Sequence, residues 1–371
     1  MKLAPVAWPV APAMTPSPTA SSRSSARIPQ QDLDHILQHT GALWNQLRGA
    51  RLFLTGGTGF FGHWLLESFL AANTVFELEV AATVLTRSPE RFRAHSPHLA
   101  NHPAVTLLAG DIQTFAFPPG RFPYIIHAAT ESVARETHGA TATFAAIVEG
   151  TRHCLAFARA CGAERFLLTS SGAVYGPQPA ELSHIPETYR GAPDPMSAGA
   201  AYGEGKRAAE LLCALAAEDF GLECMIARCF AFVGPHLPLD AHFAVGNFIR
   251  DVLLDEPVRI QGDGTARRSY LYAADLAIWL WSMLFAGPPL QPLNVGSDQD
   301  LSILELAQTV VGALAPGHPI QVVRSPIAGM PPHRYVPSVA AAHQALGLRQ
   351  RVELADAIER TARWYGWRPK Q

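Results

Sequence analysis

The sequence has few charged residues and no long apolar run. Charged residues make up 16% of the 371 positions, and the formal net charge is −2. This weak charge gives no electrostatic reason to expect nucleic acid or an anionic membrane as the main partner. No stretch approaches the roughly 18 consecutive apolar residues that a membrane-spanning helix needs, so we expect no membrane span.

Paired cysteines are also missing. The chain contains no C-x-x-C pair and no cysteine–histidine cluster with zinc spacing, so we expect neither a metal site nor a disulfide framework. An odd, scattered set of buried cysteines is typical of a reducing compartment, which predicts a cytoplasmic protein. The five residues are Cys154, Cys161, Cys213, Cys224 and Cys229.

Apolar residues, in contrast, are plentiful. They make up 48% of the sequence, enough to bury a large core in one large domain or two closely packed ones. Residues 1–30 are rich in proline, alanine and serine, and the prolines would break the apolar helix of a signal peptide, so we expect a disordered tail. Apolar residues at helical spacing then predict a leading amphipathic helix within 31–48.

From Arg51 onward, short apolar runs alternate with longer helical segments. This β-α-β alternation predicts an α/β fold with a doubly wound parallel sheet and helices on both faces. We place a nucleotide-binding domain at 49–234 and assign 235–371 mainly to a smaller substrate-binding lobe with elements that return to the first domain. The expected strands are 51–55, 79–86, 105–108, 124–128, 166–169 and 223–229, and the expected helices are 60–72, 143–161, 202–219, 273–284, 303–314 and 354–364.

A glycine-rich loop follows the first expected strand and leads into a helix. Gly56, Gly59 and Gly62 have the spacing G-x-x-G-x-x-G. Glycine is needed where the chain turns tightly, where backbone approaches a pyrophosphate and where helix packs on strand, and the helix N-terminus offers free N–H groups to the phosphates. The strand–loop–helix context predicts a Rossmann-type domain that binds a nicotinamide dinucleotide.

The residues after the second expected strand bear on the choice between NAD and NADP. An acidic residue there would bind the ribose 2′-hydroxyl of NAD. The chain has Arg87 instead, with Arg91 and Arg93 nearby, which favours NADP over NAD unless Arg87 is an ordinary solvated loop arginine. Asp111, after the third strand, is either a contact to the adenine amino group or a turn residue.

A tyrosine and a lysine lie one helical turn apart, at Tyr202 and Lys206. A lysine charge beside a tyrosine is expected to lower the pKa of the phenol, which would make Tyr202 a usable general acid or base. Ser171, at the end of an upstream strand, is our preferred partner for a substrate oxygen, although a helix-capping or turn serine is the alternative. These three residues are the predicted catalytic set.

Together, the glycine loop, His127-Ala128-Ala129, SSGAVYG at 170–176 and YGEGK at 202–206 resemble the extended short-chain dehydrogenase/reductase family. Its NAD(P)-dependent nucleotide-sugar epimerase/dehydratase branch is the nearest in pattern, from Arg51 to about Pro369. The resemblance implies substrate contacts at Ser171, Asn247, Arg268 and Arg334, the two arginines holding the diphosphate of a sugar nucleotide. The implied cofactor contacts are Gly56, Thr58, Gly59, Phe60, Phe61, Gly62, Arg87, Asp111, Ile112, Ala128, Ala129, Thr169, Tyr202 and Lys206.

The sequence departs from the family pattern at four positions. Sugar 4,6-dehydratases of the family carry an Asp-Glu pair, and decarboxylating relatives a glutamate, just before Val-Tyr-Gly, where this chain has Gly172 and Ala173. Without a carboxyl group there, we expect neither dehydration nor decarboxylation. Two family asparagines are replaced by Ile147 and Ala231, which affects the expected sugar pose but not the tyrosine–lysine pair.

The resulting hypothesis is a nucleotide-sugar oxidoreductase that reduces a 4-keto (6-deoxy) sugar at C4 with NADPH. An NAD-dependent nucleotide-sugar 4-epimerase is the alternative, because it uses the same groups. A non-catalytic NADP-binding sensor or scaffold is the alternative of another class. We expect a nucleotide-diphosphate sugar as substrate and a homodimer as the assembly.

Overall fold

The computed structural model describes residues 26–129, 134–241, 243–327 and 329–369, and within these the side chains of 134–138 are left aside. The predicted disordered tail therefore lies almost entirely outside the described residues. The described α-helices are α1 (Gln30–Thr40), α2 (Phe60–Val75), α3 (Pro89–His95), α4 (Pro97–Ala100), α5 (Ala134–Ala160), α6 (Ala201–Phe220), α7 (Ala244–Leu253), α8 (Ala273–Ala286), α9 (Ile303–Leu314), α10 (Ala340–Leu346) and α11 (Leu354–Trp364).

Strands alternate with these helices along most of the chain. The described strands are β1 (Arg51–Thr55), β2 (Ala81–Thr86), β3 (Val105–Ala109), β4 (Tyr124–His127), β5 (Arg165–Ser171), β6 (Glu223–Cys229), β7 (Phe232–Val233), β8 (Val258–Ile260), β9 (Arg267–Arg268), β10 (Leu271–Tyr272), β11 (Leu293–Val295), β12 (Leu301–Ser302), β13 (Ile320–Val322) and β14 (Arg334–Tyr335). Short 3-10 helices occur at Gly41–Leu47, Gly172–Tyr175 and Ala198–Ala200.

Seven parallel strands form the central sheet, in the order β11-β6-β5-β4-β1-β2-β3. The chain first adds β2 and β3 on one side of β1, and then β4, β5, β6 and β11 on the other. The strand order therefore reverses between β1 and β4, which is where sheets of this kind bind ligands, outside the carboxyl ends of the strands. This arrangement confirms the predicted Rossmann-type α/β fold.

Both faces of the sheet are buried. Along β1, Leu52 and Leu54 belong to one apolar cluster, while Phe53 between them belongs to a second cluster on the opposite face. The second cluster packs the sheet against α5 and α6, and the first packs it against α2 and α8. Burial on both faces explains why the strands are almost continuously apolar.

Helix α8 belongs to the later part of the chain but packs on this sheet. All its residues from Ala273 to Phe285 are buried, against α1, α2, β5 and β6 among others. A helix that is apolar all round is stable when it is covered on all sides. It is 14 residues long, and among the described residues no helix has the length and apolar character needed to cross a membrane.

The leading helix is part of the folded body. Asp32 on α1 is fully buried and accepts hydrogen bonds from Tyr272 Oη and Arg360 Nη1, each at 2.7 Å. Trp44, just after α1, packs on Trp281 with ring centres 4.6 Å apart. These contacts tie the start of the described chain to α8 and α11.

The boundaries of some elements differ from those predicted. The leading helix is α-helical to Thr40 and continues as a 3-10 helix. Glycine, a poor helix former, follows at 41. The Thr40 hydroxyl donates to Ile36 O and accepts from Trp44 Nε1, which holds the 3-10 helix against the end of α1. The helix expected at 143–161 begins at Ala134 and is broken at Gly139, whose φ is 79°. The short strand β11 was not predicted, since three residues carry too little pattern.

Candidate functional site

The glycine loop between β1 and α2 is compact. Gly56 has a φ of +73°, and a Cβ at this position would lie 2.4 Å from Ala128 O. A Cβ at Gly62 would lie 2.4 Å from Gly56 O. Both positions therefore require glycine for close packing of the backbone. At Gly59, which precedes the first turn of α2, the nearest atom to a Cβ would be 3.5 Å away, so packing leaves room there for a ligand.

A cleft of about 690 Å³ opens over this loop, at the point where the strand order reverses. Its volume suits an extended ligand such as a dinucleotide. Eight predicted cofactor residues line it: Gly56, Thr58, Gly59, Arg87, Asp111, Ile112, Ala128 and Ala129.

Other predicted cofactor residues lie behind or beside the cleft. Phe61 packs edge-on against Phe232, with ring centres 5.2 Å apart, and Gly62 is buried where α2 meets the loop. Phe60, Thr169 and Lys206 do not line the cleft either. Ile147, which replaces a family asparagine, does line it.

Two arginines form the wall of the cleft after β2. Arg87 and Arg91 both line it, together with Ser88, whereas Arg93 pairs with Glu90 at 2.6 Å and does not. Two guanidinium groups on one wall suit a phosphate group. After the neighbouring strand β3, Asp111 Oδ1 accepts from the Gln113 backbone N–H at 2.9 Å, so Asp111 is a turn residue as well as a lining residue.

His127 at the end of β4 holds the backbone of the cleft in place. Its Nδ1 lies 2.9 Å from Thr55 Oγ1 and its Nε2 lies 3.1 Å from Thr151 Oγ1. Thr55 Oγ1 also accepts from the Ala129 backbone N–H at 3.1 Å, so His127 and Thr55 together fix the backbone after β4. Burial, and secondarily the charge of Lys206, lowers the pKa of His127 to about 3. The imidazole is therefore neutral and structural.

Helix α6 begins at the sheet edge and carries the tyrosine–lysine pair. Lys206 is buried, and its Nζ donates to Thr169 O on β5 at 2.6 Å. The same Nζ lies 6.0 Å from the centre of the Tyr202 ring. The helix thus brings the phenol and the ammonium group together at the carboxyl end of β5.

The expected pKa of Tyr202 was wrong in direction. Burial raises the pKa of Tyr202 to about 12, and the hydrogen bond with Ser171 offsets this only in part. The ammonium of Lys206 is directed at Thr169 O, and burial lowers the pKa of Lys206 to about 8. At neutral pH, Tyr202 is therefore a protonated phenol beside a cationic lysine.

Ser171 is both a capping residue and a site residue. Its Oγ accepts from the Ala173 backbone N–H at 3.1 Å and so caps the 3-10 turn that follows β5. The same hydroxyl lies 3.5 Å from Tyr335 Oη, and its interaction with the Tyr202 phenol acts to lower the pKa of Tyr202. The capping role of this serine considered from the sequence is therefore confirmed, and its contact with a substrate oxygen stays a prediction.

Two aromatic residues fill the space next to Ser171. A Cβ at Gly172 would lie 2.6 Å from Phe230 Cζ and 2.8 Å from Tyr335 Oη. The rings of Phe230 and Tyr335 contact each other with centres 4.6 Å apart. Sequence reasoning did not assign either residue to the site, because they come from distant segments and no motif links them to Ser171.

A second, smaller pocket of about 370 Å³ lies beside Tyr202. It is adjacent to the larger cleft, since Thr143 lines both. Its other lining residues are Ala173, Gly176, Pro193, Gly199, Ala200, Tyr202 and Gly203. The site thus consists of a cleft for an extended ligand and a neighbouring space at the phenol.

The two predicted substrate arginines have different surroundings. Arg334 forms an ion pair with Asp300 at 2.7 Å, and Arg267 shares the same carboxylate. Arg268 is half-buried and donates to Arg267 O at 2.8 Å, and it has no ion pair among the residues that the structure describes. Burial lowers the pKa of Arg268. Arg268 is therefore the better placed of the two to accept an anion.

Asn247 is less clearly connected to the site. It lies half-buried on α7, and its Oδ1 accepts from Arg250 Nη1 at 3.4 Å. It lines neither of the two pockets described above. Its role as a substrate contact stays a prediction.

An ion pair that the sequence did not reveal holds α6 against the sheet. Glu210, one turn after Lys206, binds Arg228 of β6 through both carboxylate oxygens, at 3.0 and 2.7 Å. Glu210 also accepts from Ser170 Oγ at 2.5 Å, and Arg228 donates to Tyr175 Oη at 3.0 Å. In the sequence, the only indication of this network is that Glu210 lies four residues after Lys206 on α6. That spacing is common on helices and does not predict a partner on β6.

With the geometry established, comparison with known proteins identifies the family. Residues 52–296 match the model of the NAD dependent epimerase/dehydratase family. The chain belongs to this family. The match confirms the resemblance seen in the glycine loop, SSGAVYG and YGEGK. The chain is therefore an enzyme of the nucleotide-sugar epimerase/dehydratase type.

The chain is similar to a decarboxylase and a 4,6-dehydratase in sequence, and it shares its fold with a 4-epimerase. UDP-glucuronic acid decarboxylase 3 of Arabidopsis thaliana is 31% identical over 310 residues, which cover 83% of this chain and 86% of that protein. A dTDP-glucose 4,6-dehydratase from Streptomyces venezuelae, solved with NAD bound, is 25% identical with a TM-score of 0.71, covering 85% of this chain and 96% of that one. UDP-glucose 4-epimerase of Thermotoga maritima is 20% identical with a TM-score of 0.68, covering 85% and 98%.

These comparisons do not support the exclusion of dehydration and decarboxylation made from the sequence, since relatives with both activities are among the matches. That exclusion depends on Gly172 and Ala173 alone. The NAD-bound relative likewise leaves a preference for NADP without support from the comparisons.

Proposed function

We propose that this protein is an NADPH-dependent reductase that acts on a 4-keto (6-deoxy) nucleotide-diphosphate sugar at C4. One observation carries the proposal: Tyr202, Lys206 and Ser171 meet at the carboxyl edge of the sheet beside a dinucleotide-sized cleft, and no carboxyl group accompanies them at 172 or 173.

The residues of the site suit proton delivery to a keto oxygen. A bound nicotinamide cofactor supplies the hydride that C4 gains. Tyr202, protonated at neutral pH, donates a proton to the oxygen as negative charge develops there, and Lys206 stabilises the phenolate that is left. Ser171 orients the oxygen through its hydroxyl. Solvent then returns a proton to Tyr202.

The absence of an acid at the 3-10 turn supports reduction without loss of water or carbon dioxide. Elimination needs a second group that removes a proton from carbon and another that protonates the leaving hydroxyl. Glycine at 172 and alanine at 173 can do neither. Phe230 and Tyr335 also occupy the space that a larger side chain at 172 would need.

Arg87 and Arg91 support a preference for NADP. Both line the cleft just after β2, where the adenosine ribose of a dinucleotide is bound in Rossmann-type folds. No acidic residue follows β2 directly, so nothing at that position selects the 2′-hydroxyl of NAD. Guanidinium groups would instead bind a 2′-phosphate.

The protonated state of Tyr202 also favours reduction over 4-epimerisation. An epimerase begins by removing a proton from the C4 hydroxyl, which requires the phenolate form. A pKa near 12 leaves little phenolate at neutral pH. Reduction uses the form that predominates.

The partners follow from the same features. Arg268 is proposed to hold the diphosphate of the sugar nucleotide, because its guanidinium has no carboxylate partner among the described residues. Exposed apolar side chains on α5 and α6 (Phe144, Leu211 and Leu215) support a homodimer through these helices. Five buried cysteines without disulfides fit a reducing compartment, and we propose the cytoplasm.

The test is a panel of 4-keto nucleotide sugars incubated with NADPH or NADH, with product masses determined by mass spectrometry. The expected result is stoichiometric consumption of NADPH with one member of the panel. Conversion of a nucleotide sugar to its C4 epimer without net cofactor consumption would instead identify an epimerase. Cofactor binding without turnover of any panel member would favour the sensor or scaffold.

A further inference from the structure

The hydroxyl of Ser171 lies near two phenols, and the function proposed above uses only one of them. Tyr202 is the proton donor, while Tyr335 Oη lies 3.5 Å from Ser171 Oγ. Tyr335 reaches the site from β14, 164 residues further along the chain than Ser171. Hydrogen bonds of catalytic groups are often long before substrate binds and shorten in the substrate complex.

Gly172 allows this approach. Its backbone is not in the left-handed region, so its conformation does not require glycine. The requirement comes from its neighbours, since a Cβ would lie 2.8 Å from Tyr335 Oη and 2.6 Å from Phe230 Cζ. The chain therefore has a glycine at 172 and a phenol in the space that a side chain there would occupy.

The hydrogen-bonding capacity of Ser171 shows what Tyr335 can do. A serine hydroxyl has one proton and two lone pairs. The Ala173 backbone N–H uses one lone pair, at 3.1 Å. When Ser171 directs its proton to the substrate oxygen, the second lone pair is available to a donor that keeps its own proton during the reaction. Tyr202 gives its proton away, which leaves Tyr335.

We propose that Tyr335 is a positioning residue for Ser171: its phenol donates to Ser171 Oγ and polarises the Ser171 hydroxyl toward the substrate oxygen at C4. A donor that is itself a hydrogen-bond acceptor is a stronger donor, because successive hydrogen bonds polarise one another. Burial raises the pKa of Tyr335, so its proton is retained throughout the working pH range. This inference rests on the proposed reduction at C4.

The first test is Tyr335→Phe, assayed with the most active substrate of the panel. Loss of one neutral hydrogen bond in the transition state should lower kcat about 3- to 10-fold, with a smaller change in KM. Tyr124→Phe is the matched control, because Tyr124 also loses one hydrogen bond, to Gln46 O at 3.0 Å, but at the start of β4, away from the site. An unchanged kcat in Tyr335→Phe would overturn the proposal.

A double-mutant cycle with Ser171→Ala separates positioning from packing. If Tyr335 acts through Ser171, Tyr335→Phe should have no further effect on kcat in the Ser171→Ala background. Effects that multiply would overturn the proposal. Tyr202→Phe separates failure of the proposed function from failure of the role of Tyr335. Full turnover in Tyr202→Phe contradicts the proposed reduction. If Tyr202→Phe loses turnover but the effects of Tyr335→Phe and Ser171→Ala multiply, only the role of Tyr335 is contradicted.

Discussion

The cofactor cleft and the reacting end of the site lie on the same edge of the sheet but are assembled differently. The cleft is built mainly from residues that directly follow β1, β2, β3 and β4, each within a few positions of its strand. The reacting end combines Ser171, Tyr202, Phe230 and Tyr335, which come from four separate segments. The first region is set by local turns, and the second by how distant elements pack.

Their chemistry differs in the same way. Exposed cations, Arg87 and Arg91, line the cleft and suit a phosphate ligand. The reacting end consists of the hydroxyl groups of Ser171, Tyr202 and Tyr335 and the ring of Phe230. There, burial rather than charge dominates the pKa of Tyr202. Substitutions in the first region should therefore change binding, whereas substitutions in the second should change turnover.

Tyr202→Phe should give the largest effect. It keeps the ring but removes the transferable proton, and general acid catalysis contributes a factor of about 10² to 10⁴, so kcat should fall by that order. Cofactor affinity, measured by fluorescence titration with NADPH, should change little. Tyr124→Phe serves as the control for loss of a tyrosine hydroxyl. Comparable turnover in Tyr202→Phe and the parent protein would show that Tyr202 is not the acid.

Arg268→Ala should show the next largest effect, on substrate binding. A hydrogen bond to a charged group contributes about 1.5–3 kcal/mol, so KM for the nucleotide sugar should rise about 10- to 150-fold. Arg334→Ala is the comparison, since its guanidinium is engaged by Asp300 and its effect on KM should be smaller. Steady-state kinetics on both variants would test this, and a larger KM increase in Arg334→Ala would reverse the assignment.

Arg87→Ala should weaken NADP binding by about 1.5–3 kcal/mol and leave NAD binding nearly unchanged. Arg93→Ala is a control from the same segment, because Arg93 pairs with Glu90 and does not line the cleft. Calorimetry can measure the dissociation constants of NAD and NADP for the parent protein, Arg87→Ala and Arg93→Ala. Equal losses for NAD and NADP, or tighter binding of NAD by the parent protein, would contradict a 2′-phosphate contact.

The change in activity between pH 7 and pH 8 should be the smallest effect. The pKa of Lys206 is lowered to about 8, so the ammonium charge beside Tyr202 is lost as the pH rises through that value. We expect kcat/KM for reduction to fall about twofold between pH 7 and pH 8 and about fivefold between pH 8 and pH 9. Because the pKa of Lys206 in the folded protein is below the ordinary lysine value of 10.5, this group makes the unfolding free energy rise with pH between about 8 and 10.5. If kcat/KM and the unfolding free energy both fell above pH 8, deprotonation of Lys206 would not be the cause.

The contrast between the two regions also explains what the sequence could predict. The fold, the glycine loop and the Tyr202–Lys206 pair depend on short-range patterns: a strand followed by glycines and a helix, or two residues one helical turn apart. The helices at 303–314 and 354–364 and the strand at 223–229 were predicted at their observed bounds, because each has a clear apolar pattern and a clear start and end.

Contacts between distant segments were beyond the sequence. Nothing in it places Tyr335 beside Ser171, pairs Arg334 with Asp300, or sets Glu210 against Arg228. The pKa of Tyr202 was misjudged for the same reason: the lysine is one turn away along the helix, but burial and the direction of the Lys206 side chain depend on the packed structure.

The most direct test of the account is isotope transfer from the cofactor. NADPH deuterated at both positions of nicotinamide C4 is incubated with the protein and the active 4-keto nucleotide sugar, and the product is analysed by mass spectrometry and NMR. We predict one deuterium at C4 of the sugar and no loss of water or carbon dioxide. A product that has lost water or carbon dioxide, or that carries no deuterium at C4, would contradict reduction at C4 by Tyr202, Lys206 and Ser171.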